Sequence, residues 1–79
     1  MARPAPSMNM HVVGNNLEVF GAPEGSKVRL FDLQGNLVRE FGEKGGNLAG
    51  IRIGKLTAVL VSRSGQMLGY KSFSYTGFL

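Results

Sequence analysis

The residues able to do chemistry are few, and their spacing assigns them little of it. His11 is the single histidine of a chain without cysteine, so the ligand set of a structural zinc site is missing. It stands in an alternating run, Met8 to Val13, and no acid is tied to it by the sequence. A catalytic triad would lack its orienting member, and a solvent-facing strand histidine is the better reading. Glu40 and Glu43 can be imagined as paired carboxylates, but they fall at the exposed end of a strand and in the loop after it. Gly42-Glu43-Lys44-Gly45-Gly46 is glycine-rich yet lacks the Gly-Lys-Ser/Thr ending before a helix that a phosphate-binding loop requires. It reads as a flexible connection. We therefore expect no enzyme, no metal and no cofactor. Tyr70, Phe73 and Tyr75 beside Lys71 suggest a stacking platform for single-stranded nucleic acid. Against it, Tyr70 falls on the opposite strand face from the other three, and core burial is the favoured fate of the aromatics. A carbohydrate-binding platform would have to be built from two tyrosines and no tryptophan.

The elements that must position these residues read as strands. Leu17 and Val19 alternate with Glu18, and Val28 and Leu30 with Lys27 and Arg29, the period of a half-buried strand. Val28 and Leu30 should be core. Turn signals separate the runs: Gly14-Asn15-Asn16, Ala22-Pro23-Glu24-Gly25, Gln34-Gly35-Asn36, Gly45-Gly46, Gly54-Lys55 and Ser64-Gly65-Gln66. The first hairpin returns through Leu17 to Gly21. Further runs are expected at Leu37 to Phe41, with its register open, then Leu48 to Ile53, Thr57 to Val61 and Met67 to Tyr75. No segment sustains a helical period for three turns. About seven short antiparallel strands with frequent turns argue for an all-β domain, a β-sandwich or small barrel. We place a linker at 1–7, the β-domain at 8–75 and a tail at 76–79. Aligning Gly35 with Gly65 pairs Leu30 with Leu60, Asn36 with Gln66 and Val38 with Leu68. Two hairpins of one design in facing sheets would produce that echo, and so would turn chemistry alone.

At 79 residues the chain is one domain with a thin core, burying roughly 60% of its unfolded surface. Without disulfides, stability must come from strand pairing and packing. The net charge of +4 is unevenly spread. All five acids, Glu18, Glu24, Asp32, Glu40 and Glu43, precede Lys44, and the stretch from Lys44 onward carries Lys44, Arg52, Lys55, Arg63 and Lys71 against no acid. Such a half suits an acidic partner surface, whether nucleic acid, anionic lipid or protein; it also suits solvated strand edges guarded by cations. No run approaches the ~20 apolar residues of a helical membrane span, and Met1 to Met10 has no apolar stretch of a signal peptide. Arg3-Pro4-Ala5-Pro6 resembles an extended linker, which favours a piece of a longer protein whose export signal lies elsewhere.

Val28-Arg29-Leu30-Phe31-Asp32-Leu33-Gln34-Gly35-Asn36-Leu37-Val38 resembles the hydrophobic-x-hydrophobic-aromatic-Asp-x-x-Gly hairpin of the C-terminal sorting domains of the type IX secretion system. The resemblance runs from about Asn16 to Tyr75, with Thr57 to Val61, Ser64-Gly65 and Gly69 to Phe73 in the places of the family's second half. Asn36 stands where a basic residue is usual, and Thr57 and Val59 where Gly and Tyr are commonest. The resemblance implies an immunoglobulin-like β-sandwich at the end of a larger secreted enzyme or adhesin, of the kind carried by Bacteroidetes and Fibrobacteres. It implies passage through the periplasm to the exterior or cell surface, with outer-membrane export machinery as partner. On that reading Lys55, Arg63 and Lys71 would meet an acidic partner, while Asp32, Gly35 and Gly65 make turns. The alternatives are a basic β-domain that binds single-stranded nucleic acid and a carbohydrate-binding accessory module.

Overall fold

The computed structural model describes residues 10–76, so the linker at 1–7, Met8 and Asn9, and the tail beyond Thr76 lie outside it. Among the described residues every regular element is a strand: β1 (Met10–Val13), β2 (Asn16–Val19), β3 (Lys27–Asp32), β4 (Leu37–Phe41), β5 (Gly45–Asn47), β6 (Gly54–Val61) and β7 (Met67–Tyr75). They form two antiparallel sheets, ordered β1-β2-β5 and β4-β3-β6-β7. The all-β expectation with seven strands holds. Among the described residues no helix is long and apolar enough to cross a membrane.

Alternation decides which side chains are buried. Leu17 and Val19 are buried with Glu18 between them, and Val28 and Leu30, both fully buried, alternate with exposed Lys27 and Arg29. One apolar cluster draws on both sheets, joining Met10, Leu17 and Val19 to Val28, Leu30, Leu56, Ala58, Leu60 and Tyr75. The Tyr75 hydroxyl donates to the Asn15 side chain in the β1–β2 turn, and the Asn15 carbonyl accepts from the Leu48 backbone. One turn residue thus ties the last strand and the loop after β5 to the first hairpin.

Two expectations fail at the fifth strand. Leu48 to Ile53 is a loop, and the strand is Gly45–Asn47, where a turn was expected. The glycines are there for close approach: a Cβ on Gly45 would collide with the Leu17 carbonyl across the β2–β5 pair, and one on Gly46 would lie 2.5 Å from the Phe41 ring. The loop folds back because Asn47 Oδ1 accepts from Ala49 N at 2.7 Å, Ile51 N donates to Leu48 O at 3.2 Å, and Leu48 is fully buried. Its carbonyls are held from across the molecule, since Arg39 Nη1 donates to Asn47 O and Ala49 O at 3.1 and 2.9 Å. Gly54 and Lys55, expected as a separator, open β6. The β2 strand also stops at Val19, short of Gly21.

The 30-residue echo is a real correspondence of hairpins, although both lie in the four-stranded sheet and not in facing ones. In each turn the glycine N–H donates back three residues, Gly35 to Asp32 O and Gly65 to Ser62 O, at 3.0 and 2.9 Å. Each ladder then skips one residue at the same place. Val38 is passed over between Leu37 and Arg39, and Leu68 between Met67 and Gly69. The pairs Val28–Leu60 and Leu30–Ala58 exchange under the same offset, so a local two-fold relates β3–β4 to β6–β7. The skipped Val38 also explains the irregular alternation of Leu37 to Phe41, because it lets Arg39 and Phe41 share the core-bearing face while Leu37 pairs with Phe31 on the other.

Candidate functional site

The structure places the three predicted partner residues apart. Lys55 is exposed near the start of β6, on the face opposite buried Leu56. Arg63 is exposed in the β6–β7 turn, at the far end of that strand, so the two lie about 25 Å apart at roughly 3.3 Å per residue. The Arg63 guanidinium rests against Gly25, where a Cβ would strike it. Lys71 pairs with fully buried Ala58 and is half-buried on the core-bearing face of β7, an edge strand. An inward charge there guards the edge against pairing with another chain. No shared patch of Lys55, Arg63 and Lys71 forms.

The turn residues stand where the sequence puts them. Asp32 Oδ1 accepts from Gln34 N at 3.0 Å and Asn36 N at 2.9 Å, and Oδ2 from Asn36 Nδ2 at 3.3 Å. The Asn36 backbone bond does most to hold its carboxyl below the ordinary value of 3.8. Gly35 and Gly65 adopt φ of 89° and 94°, the left-handed region that suits glycine. Ser62 takes the place of Asp32 in the second turn, its hydroxyl accepting from Gln66 N at 3.1 Å.

The other sequence candidates are scattered. His11 is exposed and tilted against Phe20, with ring centroids 6.0 Å apart. Glu40 pairs with Arg29 at 3.0 Å, and Glu43 accepts from Gly25 N at 2.8 Å. This glycine-rich run is thus ordered, a turn from Gly42 to Gly45 closed by the Gly45 N to Gly42 O bond at 3.1 Å and leading straight into β5. Of the platform aromatics, Tyr75 is buried, Phe73 packs on the core and Tyr70 alone is exposed. That divides the proposed stacking surface between two faces.

What the fold does assemble is apolar and cationic. A groove of about 420 Å³ runs between the β3–β4 turn and the approach to β6, lined by Asp32, Leu33, Gln34, Val38 and residues 51–56. Leu33 and Ile53 are 78% and 67% exposed, the highest values among the large apolar side chains of the described residues. Arg52 and Lys55 are exposed on the same wall. Sequence reading missed Leu33 because its turn was judged by Asp32 and Gly35, and missed Ile53 because Ile51-Arg52-Ile53 alternates like a strand. An apolar residue at the centre of a tight turn was the available signal. A second groove, of about 450 Å³, is bounded by Glu18, Phe20, Glu43 and Lys44, with charges of both signs. Beyond the grooves, the face of the four-stranded sheet that bears Tyr70 aligns Glu40, Arg29, Val59 and Tyr70 in one row and Leu37, Phe31, Thr57 and Ser72 in the next.

The class that this fold defines is a small all-β module of two antiparallel sheets. Comparison with known proteins finds no matching family model, no matching curated protein and no matching solved structure.

Proposed function

We propose that this chain is a non-catalytic recognition module, carried by a larger secreted enzyme or adhesin and read as a folded surface by outer-membrane export machinery on its way to the exterior or cell surface. The observation that carries the reading is the exposed apolar and cationic groove of Leu33, Ile53, Arg52 and Lys55, a surface made for a protein partner and not for covalent chemistry. The resemblance of Val28 to Val38 to type IX sorting domains supplies the export role. Support for an immunoglobulin-like sandwich comes from strand order. β1-β2-β5 and β4-β3-β6-β7 correspond to the A-B-E and C′-C-F-G orders of such sandwiches, with one core cluster shared by both sheets.

The test is a reporter fused ahead of this chain, behind a signal peptide, in a bacterium that possesses the type IX machinery. Reporter in the medium or on the cell surface is the expected result. Retention in the periplasm would sink the export role.

A further inference from the structure

We propose that the groove between Leu33 and Ile53 docks a short extended segment of the partner protein, apolar at alternate residues and bearing carboxylates that meet Arg52 and Lys55. The proposal rests on the reading of the chain as a module recognised by another protein, but not on the identity of that protein. Its first support is exposure: Leu33, Ile53 and Val38 keep 78%, 67% and 38% of their surface at solvent, the first two more than Val13, Phe20, Leu37 or Met67. They line one concavity with Arg52 and Lys55.

Charge complementarity selects the occupant. Among the described residues the single ion pair joins Arg29 to Glu40, so neither Arg52 nor Lys55 has a carboxylate partner among them. Asp32 shares the wall, yet its two oxygens accept from Gln34 N, Asn36 N and Asn36 Nδ2 within the turn. The rim is left net positive. In an extended peptide alternate side chains point to opposite sides, so apolar residues can enter the groove while acidic ones reach the rim cations.

The local two-fold sharpens the point. Residue 33 corresponds to 63 and residue 25 to 55. In the β6–β7 half the Arg63 side chain lies over Gly25; in the β3–β4 half Leu33 stands 78% exposed beside Lys55. One half of a matched pair of hairpins is covered by its own side chain, and the other is left for a ligand.

The experiment titrates the full chain against two fluorescein-labelled hexapeptides, one alternating leucine with glutamate and one alternating leucine with lysine, reading anisotropy and ¹⁵N chemical shifts. The proposal expects saturable binding of the acidic peptide alone, with shifts confined to residues 32–38 and 51–56. Reversing both cations in R52E/K55E should weaken binding about tenfold, the effect of two lost and reversed surface pairs. L33S/I53S, at exposed positions where folding is spared, should weaken it comparably. Equal binding of both peptides, no binding of either, or shifts mapping elsewhere overturns the proposal. So do groove shifts that depend on protein concentration alone, which would make a second copy the occupant. Peptide binding with the reporter retained in the periplasm would remove the export role and leave the groove; export without peptide binding would do the reverse.

Discussion

At the β3–β4 turn one carboxylate holds two backbone N–H groups, and that makes the turn sensitive to pH. Asp32 has its pKa lowered in the folded chain, chiefly by the Asn36 backbone bond. Between the folded and unfolded values the native state therefore binds fewer protons than the unfolded one. The stabilisation is complete above the ordinary value of 3.8 and disappears as pH falls through the lower folded one. Urea midpoints measured from pH 6 to pH 2 should fall more steeply for the wild type than for D32N, and equal slopes would count against this role. Gly35 and Gly65 supply the partner requirement, a left-handed backbone with nothing within 4 Å of where a Cβ would sit. Because only the backbone objects, G35A and G65A should each cost about 1–2 kcal/mol, by nearly the same amount in the two hairpins. Urea unfolding measures both.

Among the elements, β5 is the one that composition disguises. Two glycines in a row look like a turn, and Ile51-Arg52-Ile53 three residues past Leu48 looks like a strand; the chain uses them the other way round. The deciding fact is tertiary, since only glycine lets β5 approach Leu17 and Phe41 so closely, and no local pattern encodes that distance. We expect G46A to cost about 1–3 kcal/mol as the Phe41 ring is displaced. G42A, with open space at its Cβ, should be near neutral by the same denaturation assay. Where local pattern and tertiary demand agree, the sequence was readable: Leu17, Val19, Val28 and Leu30 are core by period alone, and both hairpin turns sit where their glycines put them. The site was less readable. Lys55, Arg63 and Lys71 stand out by charge, but Lys71 shares the parity of Phe73 and Tyr75, which already turned it toward the core. Leu33 and Ile53 carry no charge signal, and only the fold shows that the turn and the loop meet.

For the molecule as a whole, the thin core sets how much damage one residue can do. Leu48 lies in a loop yet is fully buried, in a cluster shared by both sheets. L48A should cost about 2–5 kcal/mol, against a net stability on the order of 3–5 kcal/mol for a single core of this size. The variant should lose most of its stability, and collapsed amide dispersion in its NMR spectrum is the check that it is unfolded. That consequence gives the central claim, recognition of a folded surface and not of a linear signal, its most direct test. Secretion of a reporter should be compared between the wild-type chain and L48A in a host with the type IX machinery, at matched expression and with intact protein verified in the periplasm. The wild-type fusion is predicted outside the cell and the L48A fusion in the periplasm. Equal export of an unfolded L48A fusion would contradict the account.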